Sequence, residues 1–250
     1  MADNKREEYI YMAKLSEQTE RFDEMVEYTK KLVGLSRELK DEERNLLSIA
    51  YKNYVSQRRT AWRAITAYET KEKNKNTLGK YAETIRYYKK NIEEEMEKSC
   101  NEIIQILDET LIKNSNQDAK IFYLKMRGDY YRYLCEFSSP DQLETYTSEA
   151  IQSYEEANQL LDQKNARKDD ALRLGIALNY SVLYYEIKDD IVKACEIARK
   201  AFQEALNDLE DLEEERYKDS TTIMQLIRDN LTVWQNELPE ALSSLDSNLQ

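Results

Sequence analysis

Apolar residues recur every three or four positions along most of this 250-residue chain, which is the spacing of one buried face on an α-helix. The pattern holds through residues 42–70 and again through residues 80–111. In the first stretch the apolar positions are Leu46, Leu47, Ala50, Tyr54, Ala61, Ile65 and Tyr68. Such sustained periodicity predicts two long helices, each with one face in a core.

Short polar segments indicate where other helices begin and end. Ser139, Pro140 and Gln142 stand in the order of an N-cap, a first helical residue and a capping-box partner, so a helix is expected to start at Pro140. Residues 164–170 and 188–190 are expected to be loops. With two short helices before residue 37 and one at 217–236, the chain has about nine predicted helices.

The composition supports an all-α fold. Four glycines and two prolines are too few for the turns of a sheet protein of this length. A mean hydropathy of −0.83 would suit a disordered chain, but 19 tyrosines and two tryptophans argue against disorder. We therefore expect a single domain of about nine antiparallel helices over residues 1–236, followed by a flexible tail at 237–250.

The charge and the cysteines limit the partners and the location. A formal net charge of −12 argues against binding nucleic acid or an anionic membrane surface. No apolar stretch approaches the roughly 18 residues of a membrane-spanning helix, and the N-terminus lacks a signal-peptide core. Cys100, Cys135 and Cys195 are odd in number and far apart, which favours buried thiols in a reducing compartment. A cytoplasmic protein without membrane insertion is expected.

The chain contains no histidine, which removes many catalytic possibilities. Histidine-activated serine or cysteine nucleophiles and imidazole-ligated zinc are excluded, and the four isolated glycines form no phosphate loop. The acidic runs at 93–95 and 213–215 could bind a hard cation, although adjacent carboxylates on a helix diverge and a solvated face is favoured. We expect no enzyme, no cofactor and no metal.

One cationic pattern stands out in this acidic chain. Lys52, Arg59 and Arg63 fall at positions i, i+7 and i+11, so on a helix Arg59 and Arg63 lie about 20° to either side of the Lys52 direction. Arg132 and Tyr133 could complete an anion site from another helix. The alternative is a solvated face with surface ion pairs, and the spacing by itself does not decide between the two.

A ligand groove would need a second wall with apolar and polar side chains at helical spacing. Two segments fit this description, residues 173–187 and residues 217–234, and each carries an asparagine beside an apolar row. An asparagine amide can both donate to and accept from an extended peptide backbone. An ordinary core with an asparagine at its edge would give the same pattern.

Five sequence blocks resemble the 14-3-3 family: NLLSIAYKN, RRTAWR, FYLKMRGDYYRYL, RLGIALNYSVLYYEI and YKDSTTIMQLIRDNLTVW. They occur in order between about residue 5 and residue 235. The resemblance implies nine antiparallel helices, a dimer formed by the N-terminal helices, and an amphipathic groove that binds phosphoserine or phosphothreonine peptides. The implied partners are phosphorylated client proteins and a second copy of the chain or a paralogue.

The resemblance also implies roles for individual residues. The implied phosphate ligands are Lys52, Arg59, Arg132 and Tyr133, with Arg63 and Asp129 beside them. The implied peptide groove comprises Asn179, Asn230, Glu186, Leu178, Val182, Thr222, Ile223, Leu226, Val233 and Trp234. The implied dimer contacts are Arg21, Glu24, Tyr88, Asn91 and Glu95. Asp129, three residues before Arg132, is expected to hold that arginine by a direct contact.

Three positions depart from the family pattern. Ala61 lies where many members carry a phosphorylatable serine, so that route to control of the dimer is expected to be closed. Thr222 stands where the family usually has leucine, so weaker or altered selection of apolar residues near the phosphosite is expected. Asn91 replaces a usual lysine, so Glu24 is expected to lose its partner across the dimer. The leading hypothesis is a non-catalytic phosphopeptide-binding adaptor. The alternative is a helical-repeat scaffold or vesicle-fusion-type adaptor that binds its partners without phosphate.

Overall fold

A computed structural model of the chain describes residues 2–74, 81–209 and 213–238, and in these ranges it contains nine α-helices and no strand. The helices are α1 (Ala2–Gln18), α2 (Phe22–Leu35), α3 (Asp41–Asn74), α4 (Ala82–Ile106), α5 (Gln117–Cys135), α6 (Pro140–Gln163), α7 (Ala171–Glu186), α8 (Ile191–Asp208) and α9 (Glu214–Gln235). After α4 the chain continues as a π-helical turn (Leu107–Leu111) and a 3-10 turn (Ile112–Asn114). The predicted all-α class is confirmed.

The predicted loops at 164–170 and 188–190 separate the observed helices, and α6 begins at Pro140 as expected. The capping box at this start does not form. The Ser139 hydroxyl donates to the side-chain oxygen of Gln142 at 3.0 Å and makes no bond to the helix backbone. The backbone N–H of Gln142 donates to the Ser139 carbonyl oxygen at 3.0 Å.

The chain divides into two compact units, residues 1–116 with α1–α4 and residues 117–250 with α5–α9. In the first unit α2 packs on α1 and α3, and α3 packs on α4. Arg6 on α1 forms a two-pronged ion pair with the buried carboxylate of Glu43 on α3, with one contact at 2.6 Å. This pair fastens the first helix to the third. The single domain over 1–236 stays a prediction.

In the second unit α5 packs on α6, and α7 packs on α8 and α9. Leu174, Ile227 and Trp234 belong to a buried cluster shared by α7, α8 and α9. The chain leaves α9 through a turn in which the Tyr185 hydroxyl donates to the carboxylate of Glu237. The rest of the predicted tail, residues 239–250, lies outside the described residues. No helix in the described ranges is long and apolar enough to cross a membrane.

Candidate functional site

The three cations of the predicted stripe lie on one helix of the first unit. Helix α3 runs from Asp41 to Asn74, so Lys52, Arg59 and Arg63 keep the angular relation that the spacing predicts. Lys52 and Arg63 are exposed, and Arg59 is half-buried. The first unit therefore presents a cationic stripe along α3.

The neighbouring Arg58 is directed to another part of the first unit. Its Nε donates to the carboxylate of Glu95 on α4 at 2.8 Å, and its guanidinium carbon lies 3.4 Å from the centre of the Tyr54 ring. These contacts commit Arg58 to the packing of α3 against α4. Arg58 is therefore a useful comparison for Arg59, because the two side chains are adjacent in sequence but point in different directions.

Arg132 on α5 is a buried cation of the second unit, only 6% exposed. Its nearest acidic partners are Glu136 at 3.8 Å and Glu186 at 3.9 Å, and both distances are longer than a hydrogen bond. Its Nε is buried and has no hydrogen-bond partner among the described residues. Leaving a buried donor unsatisfied is costly, and an incoming anion would remove that cost.

The surroundings keep Arg132 positively charged. Burial would lower its pKa, but the electrostatic influence of neighbouring acidic groups raises the pKa above its ordinary value. These neighbours are Tyr154, Tyr133, Asp129 and Glu136. The guanidinium carbon also lies 4.8 Å from the centre of the Tyr133 ring, which favours a cation at this position.

Asp129 does not hold Arg132 by a direct contact, which corrects the expected i, i+3 pairing. Its Oδ1 accepts hydrogen bonds from the Tyr154 hydroxyl and the Asn179 amide, each at 2.7 Å. Its Oδ2 accepts from the Lys125 ammonium, also at 2.7 Å. The donors on α5, α6 and α7 use both carboxylate oxygens, so Asp129 acts on Arg132 through its charge.

Two of the three donors to Asp129, Lys125 and Tyr154, were not predicted from the sequence. The i, i+4 spacing of Lys125 and Asp129 was a usable signal, since such residues lie on adjacent turns of a helix. Tyr154 gave no signal because 25 positions separate it from Asp129. Gly128 permits its approach: a Cβ at that position would lie 2.7 Å from the Tyr154 ring.

The predicted apolar wall is formed by α7 and α9 in the second unit. Leu178, Val182 and Ile223 are half-buried and pack against the shared cluster of α7, α8 and α9. Leu226 and Val233 are exposed, at 49% and 54%. The five apolar residues predicted to line the groove thus lie on two helices that pack together, and two of them, Leu226 and Val233, are exposed to solvent.

Other predicted groove residues have internal contacts. Trp234 is 3% exposed and stacks on Tyr185 with ring centres 5.0 Å apart, so it supports the wall from within the core. Thr222 is exposed, and its hydroxyl donates to the Lys218 carbonyl at 2.7 Å. Asn230 on α9 is half-buried. The half-buried Asn179 donates one amide hydrogen to Asp129, which leaves its carbonyl oxygen for another donor.

The predicted dimer contacts belong to the first unit. Glu24 forms an ion pair with Arg21 of its own chain, at the start of α2. Glu95 is occupied by Arg58. Tyr88 on α4 is 57% exposed, and Asn91 one turn later is half-buried. The intrachain pair shows that Glu24 has a cationic neighbour without any second subunit.

The predicted phosphate ligands are divided between the two units. Lys52 and Arg59 share the stripe on α3, whereas Arg132 and Tyr133 are adjacent on α5. The structure thus brings each pair together within its own unit. The joining of the two pairs into one pocket stays a prediction.

Comparisons with known proteins connect this arrangement to a family. The sequence model described as "14-3-3 protein" matches residues 12–235. A 14-3-3 protein of Giardia intestinalis is 49% identical over 231 residues, which cover 92% of each chain. The 14-3-3-like protein GF14 iota of Arabidopsis thaliana is 45% identical over 96% of this chain and 89% of its own length. Protein BMH2 of Saccharomyces cerevisiae is 46% identical over 94% and 86%.

Proposed function

Because this chain belongs to the 14-3-3 family, we propose that two cationic elements bind the phosphate of a phosphoserine or phosphothreonine peptide. The elements are Lys52 with Arg59 on α3 and Arg132 with Tyr133 on α5. The function that follows from the family is that of an adaptor for phosphorylated client proteins. We further propose that the adaptor works without catalysis.

The state of Arg132 is the observation that carries this proposal. The Arg132 guanidinium is 6% exposed, and its Nε has no hydrogen-bond partner among the described residues. The nearest carboxylates, those of Glu136 and Glu186, lie 3.8 and 3.9 Å away, so the guanidinium can bind an anion without first losing a hydrogen bond. Guanidinium groups form two parallel, charge-assisted hydrogen bonds to phosphate oxygens. Arg59 would supply a second guanidinium and Lys52 a mobile ammonium.

Charge in the rest of the chain favours a discrete phosphate over a polyanion. The chain carries a formal net charge of −12, so a long run of phosphates would be repelled beyond the cationic elements. A single phosphoryl group meets the local cations and avoids most of that repulsion. Recognition of phosphorylated motifs by arginine clusters follows the same logic.

The α7–α9 wall would bind the peptide on either side of its phosphate. The exposed Leu226 and Val233 offer apolar contacts, and the half-buried asparagines offer amide groups to the peptide backbone. Because Asn179 already donates to Asp129, its carbonyl oxygen is available to accept from a peptide N–H group. Specificity would then come from the wall, and most of the affinity from the phosphate.

Binding experiments with a phosphorylated peptide and its unphosphorylated twin test this function. We expect a preference of about 100-fold or more for the phosphorylated form, since several charge-assisted bonds are lost with the phosphate. Arg59→Ala and Arg132→Ala should each remove the preference. Arg58→Ala is the matched control and should keep it, because Arg58 is engaged with Glu95 and Tyr54. Equal affinity for both peptides would contradict the proposal.

We also propose a dimer formed by the N-terminal helices and a cytoplasmic location. The exposed Tyr88 supports the first, and the three free buried cysteines suit a reducing compartment. Asn91→Lys should tighten the dimer by supplying a cation to Glu24 of the other copy, with an effect below about 1 kcal/mol. Sedimentation at micromolar concentration measures it, and a monomeric wild-type protein would contradict the dimer.

A further inference from the structure

The buried carboxylate of Asp129 on α5 is shared by donors from three helices of the second unit. Tyr154 and Asn179 donate to its Oδ1 and Lys125 donates to its Oδ2, each at 2.7 Å. Asp129 is 8% exposed and Tyr154 is fully buried. Of the three donors, only Asn179 belongs to the predicted peptide groove. The carboxylate therefore connects the core of the second unit to one groove residue.

The Asn179 amide can meet this carboxylate in only one orientation. A primary amide donates through its nitrogen and accepts through its oxygen, whereas a carboxylate has no hydrogen to donate. The NH2 group of Asn179 must therefore face Asp129, which leaves the carbonyl oxygen on the other side of the amide. Because Asn179 is half-buried, the residue is partly accessible to a ligand.

Two glycines allow the other two donors to reach Asp129. A Cβ at Gly128 would lie 2.7 Å from the Tyr154 ring, and a Cβ at Gly175 would lie 3.1 Å from Cε of Lys125. A glycine inside a helix weakens that helix relative to alanine. Both glycines thus lower the intrinsic stability of their helices, and both lie where a larger residue would press on a donor. The carboxylate is therefore held in place by contacts that do not involve Asn179.

We propose that Asp129 is a positioning residue of the peptide site, which holds Asn179 so that its carbonyl oxygen accepts a backbone N–H of the bound peptide. This inference rests on the proposed phosphopeptide binding and identifies the residue that determines the polarity of one groove contact. An asparagine without such a partner can turn its amide over and offer either a donor or an acceptor. Fixing the amide in advance lowers the entropy lost when the peptide binds.

Backbone esters in a phosphopeptide test this contact on the full-length protein. An ester replaces one N–H by an oxygen and leaves the side chains unchanged. Among phosphoserine peptides that carry one ester at a time, one should bind the wild type about 5- to 10-fold more weakly than the all-amide peptide. Asn179→Ala should reduce this ester ratio to within about twofold. An ester ratio below about twofold at every position in the wild type, or one that survives Asn179→Ala, would overturn the proposal.

Asp129→Asn tests the positioning itself. The new amide can donate as well as accept, so Asn179 is no longer held in one orientation and the ester ratio should fall to within about twofold. Exchanging the two residues, Asp129→Asn with Asn179→Asp, should restore the ratio to about fivefold or more, because an amide then donates to a carboxylate that still has an oxygen for the peptide. Each ratio compares two peptides on one variant, so a general change in phosphate affinity cancels. A ratio that survives Asp129→Asn, or that the exchange does not restore, would show that Asp129 does not position Asn179.

Asp169→Asn is the matched control. Asp169 is a buried carboxylate of the second unit, 1% exposed, and it accepts from Arg167 at 2.8 and 2.9 Å rather than from a groove residue. This variant should keep the ester ratio of the wild type even where it lowers stability. Loss of the ratio in this control would assign the effect to general destabilisation and would also overturn the proposal.

A measurement on the wild type does not depend on the folding of any variant. The NH2 proton that Asn179 donates to Asp129, observed by NMR, should exchange with water about tenfold or more slowly than that of an exposed asparagine, both with and without phosphopeptide. Exchange as fast as in an exposed asparagine would overturn the proposal. Equal affinity for the phosphopeptide and its unphosphorylated twin would overturn this inference together with the proposed function. A retained phosphate preference with any of the contrary results above would overturn the role of Asp129 alone.

Discussion

Replacing Arg132 by lysine separates binding from folding at the proposed phosphate site. Lysine keeps the positive charge but cannot form two parallel hydrogen bonds to one phosphate. The loss of about one charge-assisted bond, worth about 1.5–3 kcal/mol, should weaken phosphopeptide binding by about 10- to 150-fold. Titration of a labelled phosphopeptide at constant ionic strength measures the change.

The free energy of unfolding without peptide should respond little to the same substitution. The carboxylates of Glu136 and Glu186 lie 3.8 and 3.9 Å from the guanidinium, and Nε has no hydrogen-bond partner among the described residues. An ammonium in place of the guanidinium retains most of the attraction to these carboxylates. We therefore expect the free energy of unfolding, measured with urea, to change by less than about 1 kcal/mol.

Arg127, also on α5, is a control for which we expect the reverse: a loss of stability without a loss of affinity. Its Nη1 donates to the Ser153 hydroxyl at 2.8 Å and its Nη2 to the carboxylate of Glu149 on α6. Arg127→Lys should therefore lower the free energy of unfolding by about 1–3 kcal/mol while leaving the affinity within about twofold. If Arg132→Lys destabilises the free protein as much as it weakens binding, or leaves binding unchanged, the proposed role of Arg132 is wrong.

Three further outcomes are expected. Gly128→Ala should lower the free energy of unfolding by about 1–3 kcal/mol in urea titrations, because the new Cβ would lie 2.7–2.9 Å from the buried ring of Tyr154; unchanged stability would refute this close approach. Thr222→Leu should strengthen selection of apolar residues near the phosphosite by about 1–2 kcal/mol if ligand buries the side chain, and an unchanged phosphopeptide panel would contradict this. For Glu43, burial raises the pKa, but hydrogen bonds from Arg6 and from a backbone N–H bring it below its ordinary 4.5. The resulting stability is present above pH 4.5 and is lost as the pH falls through the lowered pKa, so Glu43→Gln should flatten this acid dependence in urea unfolding.

Local sequence signals were sufficient to locate most helices. Pro140 marks the start of α6, and the polar segment 164–170 lies between α6 and α7, because turn residues and proline act on their own backbone. The cationic stripe was visible for a similar reason, since α3 is continuous and its geometry follows from residue spacing alone.

Contacts between helices were not visible in the same way. Asp129 on α5 accepts from Tyr154 on α6 and from Asn179 on α7, 25 and 50 positions away, and makes no direct contact with Arg132. Spacing along one helix gives the possible partners of a side chain. Its partners on other helices depend on how those helices pack, which spacing along one helix does not give.

The carboxylate of Asp129 has a consequence for how this protein can change through mutation. It accepts from Lys125, Tyr154 and Asn179, so three helices share one acceptor. Losing any one donor alters the charge and geometry available to the other two, and double-mutant cycles among these residues should be strongly non-additive. Accepted substitutions at these positions are therefore expected to arise in compensating sets, with the effect of each depending on which of the others has already changed.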